Sequence, residues 1–289
     1  MTDADPSERV NSGIPGLDEM LRGGFFTGTA NVVSGKSGTG KTIFGTQFLV
    51  DGIKNGEKVM CIITSEESKS IVREMKTSFD WNLEEYVEQG LLTFVDITDP
   101  SLRLQKSVEI APSELIKSFK KLVESKIEDL QPTRIFIDSV EALFLAIESN
   151  YKLRTLIDDV FSVFRKHEVT SVITVGAMYG LDEMVEYGAD SVIKLDRIIA
   201  GNNLQRSIFI MKMRGSAQST KFVYLIFQTA VCLCLHSHHI WIKVVLPLSF
   251  SFTFRFSKDL KQIPVIIIDI LLLLFFVLYL NAFVFTHSR

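Results

Sequence analysis

Residues 35–42 restrict the fold of this chain more than any other segment. They form a complete GxxxxGK[ST] phosphate loop, namely Gly35, Lys36, Ser37, Gly38, Thr39, Gly40, Lys41 and Thr42. An apolar stretch precedes the loop, and a helical pattern follows it. Glycines let the backbone curl around phosphates, so that consecutive N–H groups and the helix N-terminus point at the anion. The motif therefore predicts a strand, a loop and a helix that bind a nucleoside triphosphate.

Three side chains are predicted to bind the phosphates of that ligand or its Mg²⁺ ion. Lys41 supplies a positive charge for the phosphates, and Thr42 supplies a hydroxyl for Mg²⁺. Residues 134–138 read as a buried strand that ends in a carboxylate, which is the Walker B arrangement. Ligands of open α/β sheets bind at the carboxyl ends of the strands. Asp138 is therefore expected beside the phosphate loop as a second magnesium ligand.

The first 220 residues alternate apolar, β-rich runs with helical patterns, which predicts an α/β fold. We expect a mostly parallel, twisted sheet with helices on both faces. The predicted strands are 30–34, 58–64, 91–95, 134–138, 170–175, 191–195 and 207–213. The predicted helices are 41–54, 68–78, 113–126 and 152–167, and 97–112 is expected to be irregular.

Two further sets of charged residues follow apolar strands, and each has two interpretations. Glu66 and Glu67 follow the strand at 58–64, where either carboxylate could orient or deprotonate an attacking water. The alternative is a solvated helix start, since acidic residues favour the first helical turn. Lys212 and Arg214 are two residues apart in a strand, so both face one side and could reach the same anion. The alternative is an ordinary charged strand end.

The charge distribution argues against a DNA-coating protein. Residues 221–289 hold six basic and two acidic residues, so the preceding part keeps 25 of the 31 basic and 32 of the 34 acidic residues. DNA binding through released counterions needs a basic surface, so DNA remains a possible but disfavoured partner. The first nine residues are polar and acidic, and three cysteines give no disulfide framework. The body of the chain is therefore expected in the cytoplasm.

Four separated segments resemble one known family. They are the sequence SGIPGLDEMLRGG at 12–24, the pair Glu66-Glu67, Asp138, and the sequence KMRGS at 212–216. Together with the phosphate loop, they are similar to the RecA-superfamily ATPases of the KaiC type. The resemblance covers about residues 8–221 and corresponds to the single-domain, archaeal type.

This resemblance implies a RecA-like P-loop NTPase core that binds ATP and Mg²⁺. It implies that Glu66 and Glu67 are a catalytic pair, and that subunits form a homo-oligomeric ring, usually a hexamer, with sites between neighbours. Positions that match Lys212 and Arg214 reach the neighbour's phosphates in such proteins. The sequence departs from the family where Gly176 follows its strand, because relatives often carry a polar or acidic sensor residue there. It also holds one ATPase core, whereas the circadian clock protein has two.

The last segment, 222–289, is set apart as an atypical hydrophobic tail. Residues 263–280 are strongly apolar and, at about 18–20 residues, long enough to cross a bilayer. Lys258 and Lys261 precede this run, which would keep the ATPase cytoplasmic. Three interpretations stay open: a membrane anchor through residues 263–285, a frame-shifted sequence, and a buried helix of a soluble domain.

The leading hypothesis is a Mg²⁺-dependent, ring-forming ATPase that acts in regulation or signalling through an unknown protein partner. Autokinase activity is left open. One alternative is a DNA recombination or repair ATPase of the RecA/RadA type. The other is a non-hydrolysing nucleotide-binding adaptor that is attached to a membrane by the tail.

Overall fold

The computed structural model describes residues 9–64, 67–97, 112–144, 147, 149–177, 180–200, 203–216, 223–228, 231–235, 241–245 and 251–255. The chain divides into two compact units, Met1–His236 and Ser237–Arg289. The described part of the second unit contains the antiparallel pair β12 (Trp241–Val245) and β13 (Ser251–Arg255).

The first unit begins with β1 (Arg9–Val10), α1 (Leu17–Met20), β2 (Phe25–Phe26), β3 (Ala30–Gly35), α2 (Lys41–Lys54), β4 (Val59–Ile63), α3 (Ser68–Phe79), α4 (Leu83–Glu88) and β5 (Leu92–Asp96). It continues with α5 (Pro112–Leu130), β6 (Arg134–Asp138), α6 (Glu141–Phe144), α7 (Asn150–Lys166), β7 (Thr170–Val175) and α8 (Leu181–Gly188). The later strands are β8 (Ser191–Ala200), β9 (Asn203–Met213), β10 (Val223–Gln228) and β11 (Val231–Leu235).

One sheet organises the first unit, in the order β11-β10-β9-β8-β3-β7-β6-β4-β5. The strands from β8 to β5 in this order are parallel, and β9, β10 and β11 extend the sheet with antiparallel pairs. The fold class predicted from the sequence is therefore confirmed. Because the parallel strands share one direction, the loops after β3, β4, β6 and β7 all leave the same edge of the sheet.

The central strands are buried on both faces because successive side chains enter different cores. Val33 of β3 and Phe136 of β6 pack with α1, α2 and α3. Val32 and Ile137, on the other face, pack with α5, α7 and α8. Strands covered on both sides read as continuous apolar runs rather than as alternating ones. This burial holds the loop-bearing edge on a rigid support.

The contact between α2 and β6 is unusually close. Gly45 of α2 lies against the ring of Phe136, and a Cβ atom at Gly45 would overlap the Cε2, Cζ and Cδ2 atoms of that ring. Thr42 lies three residues before Gly45, and Asp138 lies two residues after Phe136. The absence of a side chain at residue 45 therefore lets the helix and the strand approach each other close to Thr42 and Asp138.

Each predicted strand of the body has a counterpart, but the hairpin of β8 and β9 is longer than predicted. Its added residues include Ile199 and Leu204, which are paired and largely exposed. The backbone hydrogen bonds between β8 and β9 continue past the buried part of the two strands. The pattern of apolar residues therefore does not mark where these strands end. The sequence patterns also do not predict the short helices α1, α4, α6 and α8.

Strands β10 and β11 lie in the segment that the sequence analysis set apart as a tail. β10 pairs with β9, and its Val223 and Leu225 are buried in the core shared with α2. The apolar run at 263–285 and most of the segment at 97–112 lie outside the described residues. In the described ranges, no helix has the length and apolar character needed to cross a membrane.

Candidate functional site: a phosphate loop with a hydroxyl–carboxylate pair

The predicted phosphate loop connects the end of β3 to the start of α2. Gly38 and Gly40 have φ of 76° and 103°, a left-handed conformation that glycine adopts without steric cost. Gly40 is the N-cap residue of α2, so the helix N-terminus faces the loop interior. The Thr39 hydroxyl is buried and donates to the carbonyl of Lys36 at 2.8 Å. The loop is therefore shaped as an anion cradle at a helix N-terminus.

Lys41 lies across this cradle. Its Nζ donates to the Gly35 carbonyl at 2.8 Å and to the Lys36 carbonyl at 3.2 Å. Burial lowers the pKa of the Lys41 ammonium, although the nearby carboxylates of Glu141 and Asp138 act in the opposite direction. A cation held by two neutral carbonyls can exchange them for the stronger, charge-assisted bonds of a phosphate.

Thr42 and Asp138, which the sequence predicts as magnesium ligands, are in direct contact. The Thr42 hydroxyl donates to Asp138 Oδ2 at 2.6 Å, across 96 residues of sequence. Asp138 Oδ1 accepts a second hydrogen bond from the Thr174 hydroxyl at 2.5 Å. A hydroxyl and a carboxylate are hard oxygen ligands of the kind that Mg²⁺ prefers beside nucleotide phosphates. The donor set therefore fits Mg²⁺.

Of the predicted glutamate pair, Glu66 lies outside the described residues. Glu67 is exposed and immediately precedes α3, and its side chain makes no capping hydrogen bond to that helix. The N–H of Thr64, at the end of β4, donates to the Asp138 carbonyl at 3.0 Å. Glu67 thus follows a strand end that adjoins Asp138, on the edge of the sheet that carries the phosphate loop.

Lys212 and Arg214 lie toward the amino ends of the parallel strands, away from the edge that carries the phosphate loop. Lys212 pairs with Val192, near the start of β8, whereas Gly35 pairs with Leu195. Three residues of strand separate these positions by about 10 Å, and the phosphate loop extends further away. The two cations are therefore remote from the phosphate loop of the same chain.

Both cations contact the end of α8. Lys212 Nζ donates to the carbonyls of Glu186 at 3.1 Å and Tyr187 at 2.9 Å, and Arg214 Nη2 donates to Tyr187 at 3.3 Å. Burial and the neighbouring Arg214 charge lower the pKa of Lys212. The two side chains thus share the Tyr187 carbonyl, as residues on one side of a strand can.

Sequence reasoning missed two arginines that contact the phosphate loop. Arg197 Nη2 donates to the Ser37 carbonyl at 2.7 Å, and Arg206 Nε donates to the Gly38 carbonyl at 3.2 Å. The two residues are cross-strand partners in β8 and β9. Like charges opposite each other are unfavourable in a sheet, so the loop carbonyls help to compensate this pair. No sequence motif marks them, because the contact depends on the hairpin register.

A third missed residue is Glu141, at the start of α6. Its Oε1 accepts a hydrogen bond from the N–H of Gly176. Its charge acts on Lys41, as described above. The sequence feature that could have identified Glu141 is its position, three residues after Asp138.

Comparison with known proteins shows the family of this chain. A family model described as KaiC ATPase matches residues 10–232, which is well over half of the chain. The chain belongs to the KaiC family. It is an ATPase of the KaiC/RecA type with a P-loop core.

Individual relatives support the KaiC assignment. A UPF0273 protein of Pyrococcus horikoshii is 32% identical over 74% of this chain and 89% of its own length. The circadian clock oscillator protein KaiC of Parasynechococcus marenigrum is 31% identical over 72% of this chain, which corresponds to 41% of that protein. The crystal structure of a KaiC-like protein from Pyrococcus horikoshii matches with a TM-score of 0.67 and 29% identity, and the match covers 79% of this chain and 99% of that one.

Proposed function

We propose that this protein binds ATP with Mg²⁺ at the phosphate loop and hydrolyses it. The observation that carries the proposal is the contact between Thr42 and Asp138, with the Lys41 ammonium in the adjoining loop. Distant parts of the chain thus bring a hydroxyl, a carboxylate and a cation to one helix N-terminus. These are the groups that a P-loop enzyme uses to bind a magnesium nucleotide.

Each group has a separate task in this proposal. The N–H groups of the loop and of the first turn of α2 bind phosphate oxygens. Lys41 leaves the Gly35 and Lys36 carbonyls to bind the phosphates. Thr42 and Asp138 hold Mg²⁺, which when bound neutralises charge on the phosphates and fixes their orientation.

Hydrolysis also requires a group that orients the attacking water. Glu66 and Glu67 are the proposed pair, because they follow β4 at the edge that carries Asp138. Glu67 is exposed directly before α3, as a solvated helix-start residue would also be, so the support for this role is its position after β4. Which of the two carboxylates receives the proton is a question for separate Gln substitutions.

We further propose that the active unit is a ring, six-membered by family likeness, in which Lys212 and Arg214 act on the neighbouring subunit. Their distance from the phosphate loop of their own subunit supports action between subunits. A head-to-tail interface brings one edge of a subunit to a different edge of the next, which such a site requires. Nucleotide state at these interfaces would then alter ring shape and the binding of a protein partner, as in regulation or signalling.

The two rival functions predict different results. A DNA recombination ATPase would show DNA-stimulated turnover, which the acidic body of the chain disfavours. A non-hydrolysing adaptor would bind ATP without turnover above background, and changing Glu66 and Glu67 together to Gln would have no effect.

Two substitutions separate binding from hydrolysis. Lys41→Ala should abolish ATP binding, whereas Lys54→Ala, at the exposed far end of the same helix, should not. Arg214→Ala should leave ATP binding measurable and reduce turnover by about 10³-fold, the lower range for an arginine that acts between subunits. Arg73→Ala, on the exposed side of α3, is the matched arginine control.

Assemblies formed from equal amounts of the Lys41→Ala and Arg214→Ala proteins test the action between subunits. An interface regains function when an intact loop meets an intact arginine of its neighbour. Random mixing produces such interfaces in about one quarter of cases, so turnover should recover to about 25% of the wild-type value. Normal hydrolysis by Arg214→Ala alone, or no recovery in verified mixed assemblies, would contradict the proposal.

A further inference from the structure

Residues at the end of β7 donate hydrogen bonds to two carboxylates rather than to one. Thr174 donates its hydroxyl to Asp138 Oδ1, and the N–H of Gly176, two residues later, donates to Glu141 Oε1. Asp138 ends β6, and Glu141 begins α6 three residues further on. Both acidic groups are therefore fixed at the edge of the sheet where the phosphate loop lies.

Glu141 has an unused hydrogen-bonding oxygen. Its Oε2 is buried and has no hydrogen-bond partner among the described residues. A buried carboxylate oxygen without a donor is costly, and such a group calls for a specific explanation. A donor that arrives with a bound ligand would satisfy this oxygen.

The position of Glu141 indicates which ligand that is. Its partner Gly176 lies two residues after Thr174, whose hydroxyl binds Asp138, so the Glu141 carboxylate adjoins the proposed magnesium ligands. Asp138 already accepts hydroxyl donors on both oxygens, from Thr42 and Thr174. Mg²⁺ in nucleotide sites keeps several of its water ligands, and these waters need acceptors. Glu141 Oε2 is an acceptor that the site has not yet used.

We propose that Glu141 is a positioning residue for the magnesium nucleotide, whose Oε2 accepts a hydrogen bond from a water bound to Mg²⁺. The Gly176 N–H fixes the orientation of the carboxylate by binding its other oxygen. Residue 176 has no side chain of its own, so Glu141 supplies the polar group at this strand end. The inference rests on the proposed function, because it requires a bound magnesium nucleotide.

The test is a magnesium titration of nucleotide binding. Glu141→Gln preserves an acceptor for the Gly176 N–H but removes the negative charge. Glu128→Gln is the matched control, because it removes the same charge from an exposed site near the end of α5. Binding of a fluorescent ATP analogue is measured at increasing Mg²⁺ and, separately, in excess EDTA. Urea unfolding verifies that each variant is folded.

The Mg²⁺ concentration at half-saturation should rise about 10- to 100-fold in Glu141→Gln, the range found when a group that supports metal ligands is lost. It should not change in Glu128→Gln. In EDTA, Glu141→Gln should bind the analogue at least as tightly as wild type, since one negative charge near the phosphates is gone.

Two results would overturn the inference: an unchanged half-saturating Mg²⁺ concentration, or equal weakening of binding with and without Mg²⁺. Glu141→Asp is an independent variant if the Gln protein does not fold. Retracting the carboxylate by one methylene should also raise the half-saturating Mg²⁺, and an unchanged value would again refute the role. If wild type binds no nucleotide, the proposed function itself fails. If wild type binds and Glu141→Gln matches it, this inference alone fails.

Discussion

Gly45→Ala tests whether the close approach of α2 to β6 builds the magnesium site. Two effects of this substitution have opposite signs. Alanine is favoured over glycine in a helix interior by about 1 kcal/mol. The new methyl group, however, would overlap three atoms of the Phe136 ring, which is fully buried in the core. Adding a methyl group to a packed core typically destabilises by about 1–3 kcal/mol.

The steric effect should prevail because Phe136 is enclosed and Gly45 is held within a 14-residue helix. We expect a net loss of about 1–2 kcal/mol in the free energy of unfolding, at the upper end of the overpacking range less the helix gain. Relief of the overlap requires α2 to move away from β6. That movement separates the Thr42 hydroxyl from Asp138, so the Mg²⁺ needed for nucleotide binding should rise.

Urea unfolding and the magnesium titration measure these two effects. The matched control is the same substitution in a Phe136→Leu background, where the smaller side chain leaves room for the methyl group. There Gly45→Ala should be close to neutral, and the double-mutant cycle should report the coupling between the two sites. If Gly45→Ala in the wild-type background instead stabilises the protein by about 1 kcal/mol, helix propensity alone acts and the packing argument is wrong.

Three further predictions concern buried charges and the support of Asp138. Arg134→Met should lower the free energy of unfolding, measured in urea, by about 3 kcal/mol. The Arg134 side chain is 3% exposed, and its loss leaves Asp51 and Glu57 without their cation. A loss below about 1 kcal/mol would contradict this. Burial alone would raise the pKa of Glu57, but hydrogen bonds from Arg134 and Thr133 outweigh it and lower the pKa. Glu57 should therefore stabilise the fold at pH values above its unfolded pKa of about 4. This stabilisation should be lost as the pH falls through the lower pKa of the folded state. Unfolding curves at several pH values should show that dependence weakened in Arg134→Met. Thr174→Val removes a donor to Asp138 and should raise the half-saturating Mg²⁺ about tenfold, whereas an unchanged value would show that the hydroxyl has no supporting role.

The fold and the centre of the site could be predicted because both depend on local patterns. Parallel strands buried on both faces leave continuous apolar runs, as in β4 at Val59–Ile63. The phosphate loop specifies its own strand-to-helix context. Since carboxyl ends of parallel strands meet at one edge, a carboxylate at the end of β6 was expected near Thr42, and the two are in contact.

The remaining site residues depend on register and packing, which local patterns do not encode. Arg197 and Arg206 reach the phosphate loop because they are opposite each other in the β8–β9 hairpin. The sequence does not mark that pairing, since the hairpin tip exposes Ile199 and Leu204 instead of alternating apolar and polar residues. Glu141 was missed for a different reason: the backbone N–H of Gly176 holds its carboxylate, and no side-chain motif records such a contact.

Calorimetric titration with ATP tests the central claim most directly. Wild type, Lys41→Ala and Lys54→Ala are each titrated in Mg²⁺ and in excess EDTA. The account predicts saturable binding by wild type and Lys54→Ala, tighter with Mg²⁺ than without it, and no measurable binding by Lys41→Ala. Binding by Lys41→Ala equal to that of wild type, or wild-type binding indifferent to Mg²⁺, would contradict the claim that this phosphate loop holds a magnesium nucleotide.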